Sequence, residues 1–289
     1  MDTKDILQKV RRIEIKTKRL SDHIFSGEYH TSFKGKGMSF AEVRQYQYGD
    51  DIRSIDWNVT ARTNEPHVKI FEEERELTMM LLVDMSKSLQ FGSSDAFKND
   101  IVTEIAATLA FSATNNNDKI GLILFSDQVE LFIPPKKGKS HVLRIIRELI
   151  QFEPKSTQTN IGVALKFLSQ VMKKKTIAFV VSDFMDDEKE YNQTLKIVAK
   201  KHDITGIKVN DIREKEMPNV GFVWMEDAES GQGMYVNTSD ASVRNQYEAH
   251  FMEQDQYFKN TFARSGAGVI HLFTHDSYVK KLLAYFKAR

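Results

Sequence analysis

The stretch Leu81-Leu82-Val83-Asp84-Met85-Ser86-Lys87-Ser88 decides the fold. An apolar run long enough for a buried strand ends in Asp-x-Ser-x-Ser, which sets three oxygen-bearing side chains at alternating positions of one turn. Oxygen donors of this kind suit a hard divalent cation. Mg²⁺ takes about six oxygens at roughly 2.0–2.1 Å and gives up its waters reluctantly, so one carboxylate and a few hydroxyls hold it with a position left open. Asp and Ser also end strands and cap helices, so the motif needs company before it means metal.

Two further stretches supply that company. Ser156-Thr157-Gln158-Thr159-Asn160-Ile161-Gly162 places a hydroxyl-rich loop before a helical run from Val163 to Met172. Thr176-Ile177-Ala178-Phe179-Val180-Val181-Ser182-Asp183 repeats the first theme, a buried strand that ends in Asp. In open α/β sheets, ligands sit beyond the carboxyl ends of the strands where strand order reverses. If the Asp84 and Asp183 strands flank that point, all three loops converge.

The remaining pattern agrees with such a sheet. Phe97, Ile101, Ile105 and Leu109 share a helical face, Lys119 to Phe125 reads as a buried strand, and Val129 to Ile133 as its hairpin partner closed at Pro134-Pro135. Helices are expected at 141–150, 189–201, 241–262 and 278–286, with strands at 203–209 and 269–274 and a hairpin near 221–237. Strands alternating with helices predict an α/β fold with a doubly wound, mostly parallel sheet. Residues 1–76 are expected to form an N-terminal helix and β-rich extension, and residues 77–289 the α/β domain. Apolar Ile6, Leu7, Val10, Ile13 and Leu20, with basic residues between them, read as a helix with a solvated face.

Composition narrows the function classes. The chain has 289 residues, is 41% hydrophobic and carries a formal charge of +1, which gives no bulk drive toward nucleic acid or acidic membranes. With no cysteine there is no disulfide, thiolate zinc site or thiol nucleophile. No apolar run approaches the ~18 residues of a membrane span, and no signal-peptide core opens the sequence. The expectation is a soluble, cytoplasmic protein that binds no nucleic acid.

Asp84-x-Ser86-x-Ser88, Thr159 and Asp183, in this order and spacing, resemble the metal-ion-dependent adhesion site of von Willebrand factor type A domains. Upstream, Phe40, Arg44, Tyr46 and Gly49-Asp50-Asp51-Ile52-Arg53-Ser54-Ile55-Asp56-Trp57, ending at Ala61-Arg62, are similar to the signature of the bacterial domain of unknown function 58 family, whose members join it to a type A-like domain. The resemblance spans about residues 25–289. It implies that Asp84, Ser86 and Ser88 form the first metal loop, Thr159 the second, and Asp183 the third, often acting through water. It implies Mg²⁺ or Mn²⁺ as the ion and a protein partner that presents a carboxylate. The family's gene neighbourhoods imply a MoxR-type AAA+ ATPase as that partner, in an assembly or chaperone-like task.

Several enzyme readings compete. A haloacid-dehalogenase-type phosphatase also begins with Asp at the end of a buried strand, and Asp183-x-x-x-Asp187 resembles its later acidic motif. That chemistry needs a second Asp two residues after the nucleophile as general acid and base, and Ser86 stands there. Gly138-Lys139-Ser140 resembles the end of a P-loop, but Ile133 occupies the first glycine position. His271 and His275 lack the glutamate of a zincin helix and lie in a strand. No catalytic residue is assigned, and the expected function is a non-enzymatic, cation-dependent interaction module.

The signature admits two roles. Arg44, Asp50, Asp51, Arg53, Asp56 and Arg62 form either a structural charge network, with Trp57 as a packing anchor, or a docking surface. The structural role is the expectation, since partly buried Arg and Asp are tolerated when paired.

Overall fold

The computed structural model describes residues 8, 10–16, 38–73, 77–93, 97–185, 191–226 and 231–289. These fall into two compact units, one of residues 38–73 and one of the remainder.

In the smaller unit, strand β1 (Met38–Gln45) pairs antiparallel with β2 (His67–Glu73), with a bulge between Phe40 and Glu42. Between them lie a 3₁₀ turn at Ile52–Ser54 and helix α1 (Trp57–Thr63). Val68 is buried and Ile55 forms an isolated bridge to it, so the connecting segment is tied to β2.

The larger unit is built on β3 (Thr78–Asp84), β4 (Lys119–Phe125), β5 (Val129–Lys136), β6 (Ile177–Ser182), β7 (Asp203–Asn210) and β10 (Gly268–Phe273). Their spatial order is β10-β7-β6-β3-β4-β5, all parallel except β5 at one edge. β3, β4 and β6 are apolar nearly throughout and β7 is buried along almost its whole length, because a parallel sheet covered on both faces exposes neither side of its pleat. β5 continues through Pro134 and Pro135 at the sheet edge, where a missing N–H is tolerated.

The covering helices are α2 (Lys98–Asn115), α3 (Lys139–Gln151), α4 (Ile161–Val171), α5 (Tyr191–Ala199), the short α6 (Ile212–Lys215), α7 (Ala241–Arg264) and α8 (Tyr278–Ala288). Ile101, Ile105 and Leu109 are buried along α2 as their spacing implies, but Phe97 sits one residue before the helix and is 52% exposed. Beneath α7, Gly206 makes room for aromatic packing. A Cβ there would meet the Phe262 ring at 2.6 Å. Phe258 and Phe262 are fully buried against the sheet.

The helical residues 10–16 belong to this larger unit. Val10 and Ile13 are buried, Lys16 donates to Glu104 on α2, and Glu14 pairs with Lys139 at 2.5 Å. The fold-back hairpin lies at β8 (Phe222–Glu226) and β9 (Gly233–Asn237), outside the main sheet. Among the described residues no helix is long and apolar enough to cross a membrane.

Candidate metal site at the switch point

β3 and β6 are hydrogen-bonded neighbours, with Val83 opposite Val181, and the chain leaves them toward opposite sides of the sheet. Asp84 ends β3 and Asp183 directly follows β6, so both carboxylates stand beyond the carboxyl ends of the two switch-point strands. Both side chains are buried.

The first loop is held by the aspartate itself. Asp84 Oδ1 accepts from the Ser86 N–H at 2.8 Å, and the Ser86 and Ser88 hydroxyls lie 2.9 Å apart. Asp84 Oδ2 accepts from the Ser182 hydroxyl at 2.7 Å, which in turn accepts from the Phe184 N–H at 3.1 Å. Phe184 adopts φ +50°, a left-handed backbone that a bulky residue takes only when its surroundings enforce it. Here the enforcement is packing: its ring lies 4.3 Å from Phe258 and 5.4 Å from Phe262, centroid to centroid.

The second loop meets the first through the Lys87 N–H, which donates to the Thr157 carbonyl at 3.3 Å. Thr159 is buried in that loop, and the Asn160 side chain caps α4 by accepting from the Val163 N–H. All three predicted loops therefore lie at one end of the sheet.

The site holds charges that the sequence motifs do not display. Lys98, the first residue of α2, is completely buried and donates to Asp183 Oδ2 at 2.8 Å and to Glu214 Oε1. Glu214 Oε2 accepts from Asn210 Nδ2 and from the Asp211 N–H, both at 2.9 Å. Burial alone would raise the Asp183 carboxyl, but the Lys98 ammonium outweighs it and holds the group below its usual range. Asp84 has no such cation: burial, and then the charge of Asp183, push it up to about 7. Glu214 is raised chiefly by burial.

This donor set fits a small hard cation. Among the described residues, no three His, Cys, Asp or Glu side chains are grouped to hold a metal, so the charged donors are the two aspartates and the rest are hydroxyls. That composition suits an ion that keeps several waters. A divalent charge beside Asp84 would favour its ionised form, which burial otherwise opposes.

Beside this site opens a groove of about 590 Å³. Ser88 and Asp183 are among its polar lining, and Phe91, Met185, Met217, Val223 and Met225 among its apolar walls. Period-two alternation in β8 turns Val223 and Met225 into the groove and sends Phe222 and Trp224 outward. Trp224 packs edge-on against Tyr235, its cross-strand partner, and covers Gly233, where a Cβ would meet the indole at 2.3 Å.

The signature residues form a separate set within the smaller unit. Arg44 makes a two-pronged pair with Asp50, at 2.8 and 2.7 Å, and Asp50 also accepts from the Gln47 N–H. Asp51 caps the 3₁₀ turn through the Arg53 N–H. Asp56 is buried, caps α1 through the Asn58 and Val59 N–H groups, and lies 3.5 Å from Lys69. Arg53 and Arg62 are exposed, and Trp57 is 70% exposed. The expected anchoring role of Trp57 is thus corrected: at the first position of α1 its ring is exposed, while the neighbouring Asp56 is buried and faces Lys69. Asp187, on which the phosphatase reading leaned, lies outside the described residues.

The other lookalikes resolve structurally. Gly138-Lys139-Ser140 opens α3, with Lys139 paired to Glu14. His271 lies on β10 with Nδ1 3.1 Å from Asp255, whereas His275, expected in the same strand, falls in the turn after it.

The chain is 29% identical over 292 residues to the uncharacterized protein Rv1480 of Mycobacterium tuberculosis, an alignment that covers all of this chain and 91% of that one. Its fold is shared by an aerotolerance-related membrane protein from Bacteroides fragilis, at a TM-score of 0.50 and 14% identity over 74% of this chain and all of the other. The VWA domain of Rpn10 superposes more loosely, with a TM-score of 0.40 and 13% identity over 72% of this chain and 94% of that domain. The family description "Protein of unknown function DUF58" matches residues 42–257. This chain belongs to that family.

Proposed function

We propose that the protein is a divalent-cation-dependent protein-interaction module. The observation that carries this reading is the convergence of Asp84, Ser86, Ser88 and Asp183 on one end of the sheet, with the Thr159 loop hydrogen-bonded to the first loop. Asp84 and the two serine hydroxyls would hold Mg²⁺ or Mn²⁺ directly, Thr159 would serve from the second loop, and Asp183 would act through water. Bound there, the ion supplies a Lewis-acidic open position for a partner's carboxylate.

The adjoining groove supports the same reading. A partner side chain next to that carboxylate finds apolar, methionine-containing walls that adapt to varied shapes. The family resemblance points to a MoxR-type AAA+ ATPase as the partner, and the composition to a cytoplasmic setting. Since Ser86 stands where a phosphatase needs its proton-shuttling carboxyl, generic phosphoesters should not turn over with Mg²⁺.

Calorimetric titration with Mg²⁺ tests the site. One ion should bind per chain, and Asp84→Ala should abolish binding because it removes the charged oxygen of the first loop. Equal affinity in the two proteins would overturn the assignment. Thr159→Ala should weaken capture of a MoxR-type ATPase in Mg²⁺ more than it weakens Mg²⁺ binding itself. Capture that persists unchanged in chelator would refute the cation dependence.

A further inference from the structure

Resting on the cation-binding role proposed above, we infer that Lys98 is a resident counter-cation that keeps the site's affinity for metal low until a partner's carboxylate arrives. The lysine is placed for this. Its side chain is wholly buried, its ammonium is 2.8 Å from Asp183 Oδ2, and it also donates to Glu214. Asp183 and Glu214 therefore share one buried ammonium at this end of the sheet.

A divalent ion that binds at Asp84, Ser86 and Ser88 arrives beside a positive charge already seated on the third-loop aspartate. In a buried setting, like charges several ångströms apart repel far more than in water. The negative charge of Asp183 is then largely spent on Lys98. Glu214 moderates this by sharing the ammonium, and the Asn210 and Asp211 donors hold it in place to do so. A partner carboxylate supplies the negative charge that Lys98 has cancelled, so cation and partner bind together more tightly than either binds alone.

The experiment titrates the full chain with Mg²⁺ alone, by calorimetry and by the Mg²⁺-induced shift in thermal midpoint, for wild type, Lys98→Met and Glu214→Gln. Lys98→Met should bind Mg²⁺ about tenfold more tightly or better, and Glu214→Gln several-fold more weakly. A lysine that only braces the fold would give weaker or unchanged binding in both. Lys98→Met binding no more tightly than wild type would overturn the inference while leaving the cation role intact. Should Lys98→Met fail to fold, an unchanged affinity in Glu214→Gln overturns it equally. Failure of wild type and both folded variants to bind Mg²⁺ would refute the cation role and the inference with it.

Discussion

Lys98 and Lys208 are both completely buried, and the fold treats them in opposite ways. Lys98 reaches two carboxylates at hydrogen-bonding distance, and their attraction outweighs the desolvation that would lower it, so it is held above its ordinary range. Lys208, on β7, has no hydrogen-bond partner for its ammonium among the described residues. Asp255 is 3.9 Å away and already 2.6 Å from Lys259, and the Phe251 and Phe258 rings lie 5.3 and 5.7 Å from the lysine nitrogen. Burial pushes Lys208 down to about 8. A buried charge is thus a fixture in one place and a liability in the other, and the difference is the distance to an oxygen.

The largest test of that contrast is Lys98→Ala. It leaves Asp183 and Glu214 buried without their cation, which should cost about 3–5 kcal/mol of folding stability in chemical denaturation. An unchanged midpoint would break the comparison at its strong end.

Lys208→Met should do the reverse. Replacing an ammonium that lacks a hydrogen bond with an apolar chain of similar volume should stabilise the fold by about 1–4 kcal/mol at pH 7, read as a raised thermal midpoint. The advantage depends on pH. Between about 8 and the ordinary 10.5, the folded wild type binds fewer protons at Lys208 than the unfolded chain does, so wild-type stability rises with pH. The gap between the two proteins should narrow across that window. A gap that stays constant from pH 7 to 10.5 would show that Lys208 keeps its proton in the fold across that window.

The same rule extends to residues 38–73. Asp56 is buried with its oxygen committed to two helix N–H groups, so Asp56→Ala should cost about 1 kcal/mol, the usual loss for a removed N-cap. Arg53 is exposed, and Arg53→Ala should leave thermal unfolding within about 0.5 kcal/mol of wild type. A sharp loss in Arg53→Ala would show that the signature arginine is structural after all.

The sequence by itself determined the fold class and the three loops. Buried parallel strands read as continuous apolar runs, and each run here ends in a residue type that only a loop or a ligand explains: Asp84 after Leu81-Leu82-Val83, Asp183 after the 177–182 run. Periodicity likewise placed the helices, because the face a helix buries is written every three to four residues. It failed at Phe97, where the pattern continued past the helix end.

Only the tertiary structure decided what surrounds the aspartates. Lys98, Asp183 and Glu214 lie far apart in the chain, and no spacing rule links a lysine at the start of one helix to a glutamate in a one-turn helix beyond β7. Ser182 looked like the last residue of a strand until its hydroxyl was found on Asp84. Trp57 reads as a packing anchor of the signature, yet whether a side chain is covered depends on what packs over it, and Trp57 is 70% exposed. Motifs record the local geometry of a chain. Charge balance and burial are properties of neighbours that folding brings together.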